Sequence, residues 1–132
     1  TKKIQIEARI FGDMAINHII PVATKYQSSL VDNVYKMKGI LGDEADELSI
    51  SNIELIRKIA KSVRTIETGV SELVEARKVA NRLESEYEKA LAYYKTVVPK
   101  MDTIREDIDR LEEIVDDQLW PLPKYRELLF IR

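Results

Sequence analysis

Residues 51–80, SNIELIRKIAKSVRTIETGVSELVEARKVA, decide the fold class. Ile56, Ile59, Val63, Ile66, Val70 and Leu73 alternate spacings of three and four, which places them along one seam of an α-helix. Ser51-Asn52-Ile53-Glu54 has the capping-box form, a Ser with a Glu three residues on, and sets the expected start near Ser51. The pattern weakens near Ala80. Asn81-Arg82-Leu83-Glu84 then has the composition to stop one helix and cap the next.

Downstream, a helix is expected from about Glu84 to Asp117. Tyr94, Met101, Ile108 and Val115 fall at one heptad position, and Val97, Ile104 and Leu111 at the other. Pro99 stands off this seam, so it can bend the helix without breaking the packed stripe. Glu106 and Arg110 have the i,i+4 spacing of a helix ion pair. These two helices, joined by a short break, predict a long antiparallel hairpin.

Upstream, Ile4, Ala8, Phe11, Ala15, Ile19, Val22 and Tyr26 repeat with the helical period, predicting a first helix over about 3–37. Pro21 should kink it. Gly39 and Gly42 are expected to end it, with Gly39 the left-handed cap, and Asp43, Glu44, Asp46 and Glu47 read as a solvated acidic loop from Gly42 to about Ser49. Packing this helix along the hairpin gives an all-α, elongated three-helix bundle. A Pro-rich tail, 118–132, cannot continue a helix, because Pro lacks a backbone N–H and clashes with the preceding turn. Its Trp120, Leu122, Tyr125, Leu128 and Phe130 make it too apolar for a solvated tail, so these residues are expected to be docking anchors. Lys124, Arg126 or Arg132 could turn back to pair with Asp116 or Asp117, whose charge opposes the helix dipole.

The first helix is apolar on more than one face. Besides the stripe above, Ile6, Ile10 and Met14 occupy a second face, and Ile16 and Ile20 a third. A surface helix needs one apolar stripe, so this excess predicts contact with protein outside the bundle, or cover from the tail.

Composition restricts function. The chain has 132 residues, with 45% hydrophobic and 33% charged, which suits one domain with a packed core. Its 21 basic residues against 23 acidic ones leave a net charge of −2 and no basic excess for nucleic acid. The longest stretch without a charged residue, Met14–Thr24, is too short to span a bilayer, so no membrane partner is expected. There are no cysteines, hence no disulfide, thiolate metal site or Cys nucleophile, and the composition permits the cytoplasm.

No constellation carries catalysis. His18 is the only histidine, with Ala15 three residues before it, so the Glu-x-x-His pattern of a di-iron bundle is missing. The acidic run lacks the alternating ligands of a calcium loop. Gly12, Gly39, Gly42 and Gly69 are scattered and form no phosphate loop. Tyr93 and Tyr94 could suggest base stacking, but Tyr94 is on the seam and reads as core. No catalytic, cofactor or metal residue is assigned.

Asp116 to Phe130, DDQLWPLPKYRELLF, resembles the C-terminal end of type III glutamine synthetases, the large bacterial form. Ile6-Glu7-Ala8-Arg9, Asn17-His18-Ile19-Ile20-Pro21-Val22-Ala23 with Lys25-Tyr26-Gln27, and Glu75-Ala76-Arg77-Lys78-Val79-Ala80-Asn81 resemble the same family. The resemblance implies a cytoplasmic fragment of a longer ligase that joins ammonia to glutamate through a γ-glutamyl phosphate. That enzyme would use ATP with magnesium or manganese, bound upstream. It implies a structural role here, docked on the catalytic domain of the same protein and supporting neighbouring subunits of a ring-shaped oligomer, with no ligase activity in the fragment alone. The alternative is a free-standing helical-bundle interaction module whose seam binds a partner helix.

Overall fold

The chain folds around one long helix, α4 (Ile50–Asn81), against which the other long segments run antiparallel. In the computed structural model, residues 2–115 are described. Before α4 come α1 (Lys2–Met14), a π-helical turn π1 (Ala15–Ile19), α2 (Ile20–Leu41) and the short α3 (Glu44–Leu48). After it come α5 (Glu86–Ala92), a second π turn π2 (Tyr93–Val97) and α6 (Val98–Ile114). The described residues form an all-α bundle, as the sequence predicts.

Side-chain pairings fix the registers. Gln5 Nε2 donates to Asn81 Oδ1 at 3.1 Å, and Gln27 Nε2 donates to the Ile56 carbonyl at 3.0 Å, so α1–π1–α2 runs down α4 as one antiparallel rod. On the other side, Lys100 meets Glu72 at 3.4 Å and the Tyr93 hydroxyl donates to Asn81 Oδ1 at 2.7 Å. The Arg105 guanidinium sits 5.4 Å above the Phe11 ring, which links α6 to α1. Such a cation–π contact at a partly exposed site is worth about 0.5–1 kcal/mol. The core is the inner stripe of all three rods: Ala8, Ala15, Ile19 and Ala23; Ile59, Ile66 and Leu73; Val97, Ile104 and Leu111.

The two π turns were not expected. The Ile20 N–H bonds to the Ala15 carbonyl and the Val98 N–H to the Tyr93 carbonyl, five residues back instead of four. Each turn ends two residues before a proline, Pro21 or Pro99. A proline ring presses on the carbonyl four residues before it and donates no hydrogen bond, so the wider turn absorbs the misfit while the rod continues. One extra residue also shifts the buried face. The buried positions step by four twice in succession, Ala15-Ile19-Ala23 and Tyr93-Val97-Met101. Tyr93 is therefore fully buried and Tyr94 is 71% exposed, which corrects the assignment of Tyr94 to the seam.

Several ends differ from the sequence expectation. Gly39 lies inside α2, which runs on to Leu41; Gly42, at φ +62°, is the left-handed stop, and its N–H bonds to the Lys38 carbonyl at 2.9 Å. The acidic stretch is helical rather than a loop, because Glu44, Asp46 and Glu47 sit in the first turn of α3, where the helix dipole favours negative charge. That leaves a single residue, Ser49, between α3 and α4. The expected capping box at Ser51 is consequently not made, and Ser51 is inside α4. The working box is Ser85-Glu86-Tyr87-Glu88, where the Ser85 hydroxyl accepts from the Glu88 N–H at 3.3 Å. At the other end, α6 stops at Ile114 and Val115 is already extended, short of the expected Asp117. Arg110 pairs with Asp107 rather than with Glu106.

The two glycines make opposite predictions. A Cβ at Gly39 meets nothing within 4 Å. Gly39→Ala should therefore stabilise the chain by up to about 1 kcal/mol through helix propensity. Gly42→Ala forces a side chain into positive φ and should cost about 1–3 kcal/mol. Paired urea titrations of the two variants check both signs.

Candidate docking site

Helix α1 turns Ala8 inward and π1 turns Ala15 inward, both fully buried. At 100° per residue, Ile6 and Ile10 then point directly away from the bundle. They are 57% and 63% exposed, and Ile16 on π1 is 39% exposed. Met14 and Ile20 are half-buried and pack against the edge of the core. Of the five residues singled out for docking on this helix, three are thus presented outward and two are shared with the bundle. Lys3, Glu7, Arg9 and Asp13 surround the exposed isoleucines, giving an apolar ridge with a mixed-charge rim. Such a ridge is fit for a protein partner: its centre can be desolvated while its rim stays wet.

The ridge is tied to the rest of the bundle. Gln5, one residue before Ile6, ties α1 to Asn81 at the end of α4, and Asn81 also accepts from the buried Tyr93. One amide oxygen therefore joins the three rods at this end of the bundle. Gly12 faces α4 at an ordinary packing distance, since a Cβ there would stand 3.7 Å from Val70 Cγ1.

A second exposed stripe lies on α5 and π2. Tyr87, Leu91 and Tyr94 recur at i, i+4 and i+7 and are 75%, 39% and 71% exposed. The sequence reading missed it because Tyr94 was assigned to the core; the run of four-residue steps ahead of Pro99 is the signal that separates the two tyrosines.

The other polar groups among the described residues are dispersed over the bundle. His18 is exposed on π1. Among the described residues, no three His, Cys, Asp or Glu side chains converge as a metal site requires. Asp107 is buried on α6; its Oδ1 accepts from Arg110, and its Oδ2 has no partner among the described residues. Lys38 bonds to Asp46 at 2.9 Å and Asp43 at 3.4 Å, stapling α2 to α3. The hydrogen bond to Asp46, with that to Asp43, raises the Lys38 pKa above its usual 10.5. A raised lysine contributes its stability in full below the unfolded-state value and loses it as pH climbs through the folded one. Thermal melts of wild type and Lys38→Met should therefore differ by a constant amount across neutral pH and converge only above about pH 10.5.

Grooves flank this framework. One of about 310 Å³ lies between α2, α3 and α4, lined by Val31, Val34, Tyr35, Ile53 and Ile56. Another, of about 420 Å³, runs beside the Glu72–Lys100 pair. Among the described residues no helix is long and apolar enough to cross a membrane. Trp120, Leu122, Tyr125, Leu128 and Phe130, and the expected pairing of Asp116 or Asp117 with a tail cation, lie outside the described residues.

Comparison with known proteins bears on the same helices. A family model described as the glutamine synthetase C-terminal domain matches residues 1–38, the rod that carries the isoleucine ridge. A glutamine synthetase from Bacteroides fragilis (strain YCH46) is 50% identical over 133 residues, covering 100% of this chain and 18% of that protein. A type-3 glutamine synthetase from Dictyostelium discoideum is 28% identical, covering 99% of the chain and 18% of that protein. A glutamine synthetase from Butyrivibrio fibrisolvens is 25% identical, with 98% and 18% covered. The chain thus spans about a fifth of the length of the curated relatives it matches.

Proposed function

We propose that this chain, which belongs to the C-terminal region of the glutamine synthetase family, braces the catalytic domain of its parent enzyme and supports contacts between subunits. The observation that carries this reading is the outward ridge of Ile6 and Ile10 on the segment matched by the family model. A helix apolar on the side opposite its own core is built to sit between two bodies. Here one body is the bundle, and the other is the catalytic domain or a neighbouring subunit.

The parent reaction is the ATP-dependent ligation of ammonia to glutamate, and its divalent metal needs converging carboxylates or imidazoles. Among the described residues no three His, Cys, Asp or Glu side chains converge in such a cluster. The contribution of this chain is positional: it fixes the ridge through the Gln5–Asn81–Tyr93 bonds, and the ridge holds its neighbour. A cytoplasmic parent, with no nucleic-acid or membrane partner, is part of this proposal.

The test is Ile6→Asp with Ile10→Asp in the full-length enzyme. In the isolated chain these exposed substitutions should change stability by no more than about 0.5 kcal/mol each. In the full-length enzyme they should dissociate the oligomer in sedimentation velocity and lower glutamine formation. An intact, fully active oligomer overturns the proposal. Glutamine made by the isolated chain from glutamate, ammonia and ATP overturns its non-catalytic half.

A further inference from the structure

We infer that two copies of this chain associate antiparallel through the outer face of α4, each setting its acidic α3 against Arg57, Lys61 and Arg64 of the other. Ile59 is fully buried and marks the side of α4 that faces the bundle. At 100° per residue, Ile50, Glu54, Arg57, Lys61 and Arg64 all lie within about 40° of the opposite direction. All five are exposed, Ile50 at 52%. The outer face of α4 is thus a solvent-facing stripe roughly 21 Å long.

Charge along this stripe is sorted rather than mixed. The segment from Arg57 to Arg64 holds Arg57, Lys58, Lys61 and Arg64 and no acidic residue. Toward the start of the helix come Glu54 and then, across Ser49, the exposed Glu44 and Glu47 of α3. Elsewhere the bundle pairs its charges within itself, as Lys38 does with Asp43 and Asp46 and Lys100 with Glu72. Among the described residues, Glu44, Glu47, Glu54, Arg57, Lys61 and Arg64 make no ion pair.

The spacing of these groups is self-complementary. A two-fold axis across α4, level with residues 55–56, sets Glu54 against Arg57 of the second copy, Ile50 against its Lys61 and Glu47 against its Arg64. Each pairing occurs twice, and one axis satisfies all three. Two of them join opposite charges, and in the third the aliphatic stem of Lys61 covers Ile50. Leu48, 58% exposed beside Glu47, extends the apolar contact. A parallel, in-register pairing would set the three cations against their own copies, so repulsion selects the antiparallel orientation. Ile6 and Ile10 are on α1 and take no part, so the inference does not rest on the role proposed for them.

The 132-residue chain encloses its own core and is tested by sedimentation velocity, loaded at high micromolar concentration. In about 0.01 M salt, where charges act over roughly 30 Å, it should be a dimer; in about 1 M salt, where the range is roughly 3 Å, a monomer. One variant carries Lys61→Glu with Arg64→Glu, and another Glu44→Lys with Glu47→Lys. Each alone brings like charges together at both ends of the contact and should weaken association by about tenfold or more. Mixed in equal amounts they should form a mixed dimer, because both ends then join opposite charges again. Glu54→Lys and Arg57→Glu, a pair that leaves α3 untouched, should behave in the same way. Ile6→Asp with Ile10→Asp should leave the dimer intact. A wild type that is monomeric in low salt, or a dimer indifferent to salt, overturns the inference. So does a charge variant that dimerises by itself, a pair of mixtures that both stay monomeric, or a dimer lost on changing Ile6 and Ile10.

Discussion

Tyr93→Ala is expected to destabilise the chain by about 3–5 kcal/mol, whereas Tyr94→Ala changes it by less than about 0.5 kcal/mol. Tyr93 is fully enclosed where α1, α4 and π2 meet, and its ring fills that space. Truncation leaves a cavity that fixed helices cannot close. It also removes the hydrogen bond to Asn81, which the conservative Tyr93→Phe isolates at about 1 kcal/mol. Tyr94, one residue on, is 71% exposed and has little to lose. Urea titrations of the three variants decide the register of π2. A regular helix through Tyr94 and Met101 would reverse the two alanine results, because the seven-residue step would put Tyr94 in the core.

That pair of tyrosines also marks what the sequence could and could not disclose. The seam of α4 was readable because Ile59, Ile66, Val70 and Leu73 need nothing beyond three- and four-residue steps, and all four are buried. The π turns were not, because a five-back hydrogen bond is outside the helical period by which the residues were sorted. Their trace is a doubled four-residue step that straddles a proline, Ala15-Ile19-Ala23 about Pro21 and Tyr93-Val97-Met101 about Pro99. Local charge misled at α3: four carboxylates look solvated, and they are, but their place at a helix start makes them helix-compatible. The outward apolar ridge of α1 was half legible. Ile6 and Ile10 had to lie opposite Ala8, and the structure puts them there. Met14 and Ile20 did not join them: both are half-buried against the edge of the core, on either side of the turn at π1 that shifts the buried face.

Close approach also sets the second large effect. Ile104→Ala is expected to cost about 2–5 kcal/mol, since the side chain is fully buried between α4 and α6. Gly69 faces it. A Cβ at position 69 would stand 2.9 Å from Ile104 Cγ1, inside van der Waals contact, so the two helices pack at a distance that only glycine permits. Gly69→Val should therefore lose about 1–3 kcal/mol to overpacking, in spite of the helix propensity it gains. The two costs have opposite geometric causes, a void and an overlap at one place, so they should cancel in part. The double variant Gly69→Val with Ile104→Ala is expected to be more stable than the sum of the single losses by about 1 kcal/mol or more, measured as a double-mutant cycle in urea. Additive losses would mean that α4 and α6 separate readily. The contact would then not be what fixes the spacing of α4 and α6.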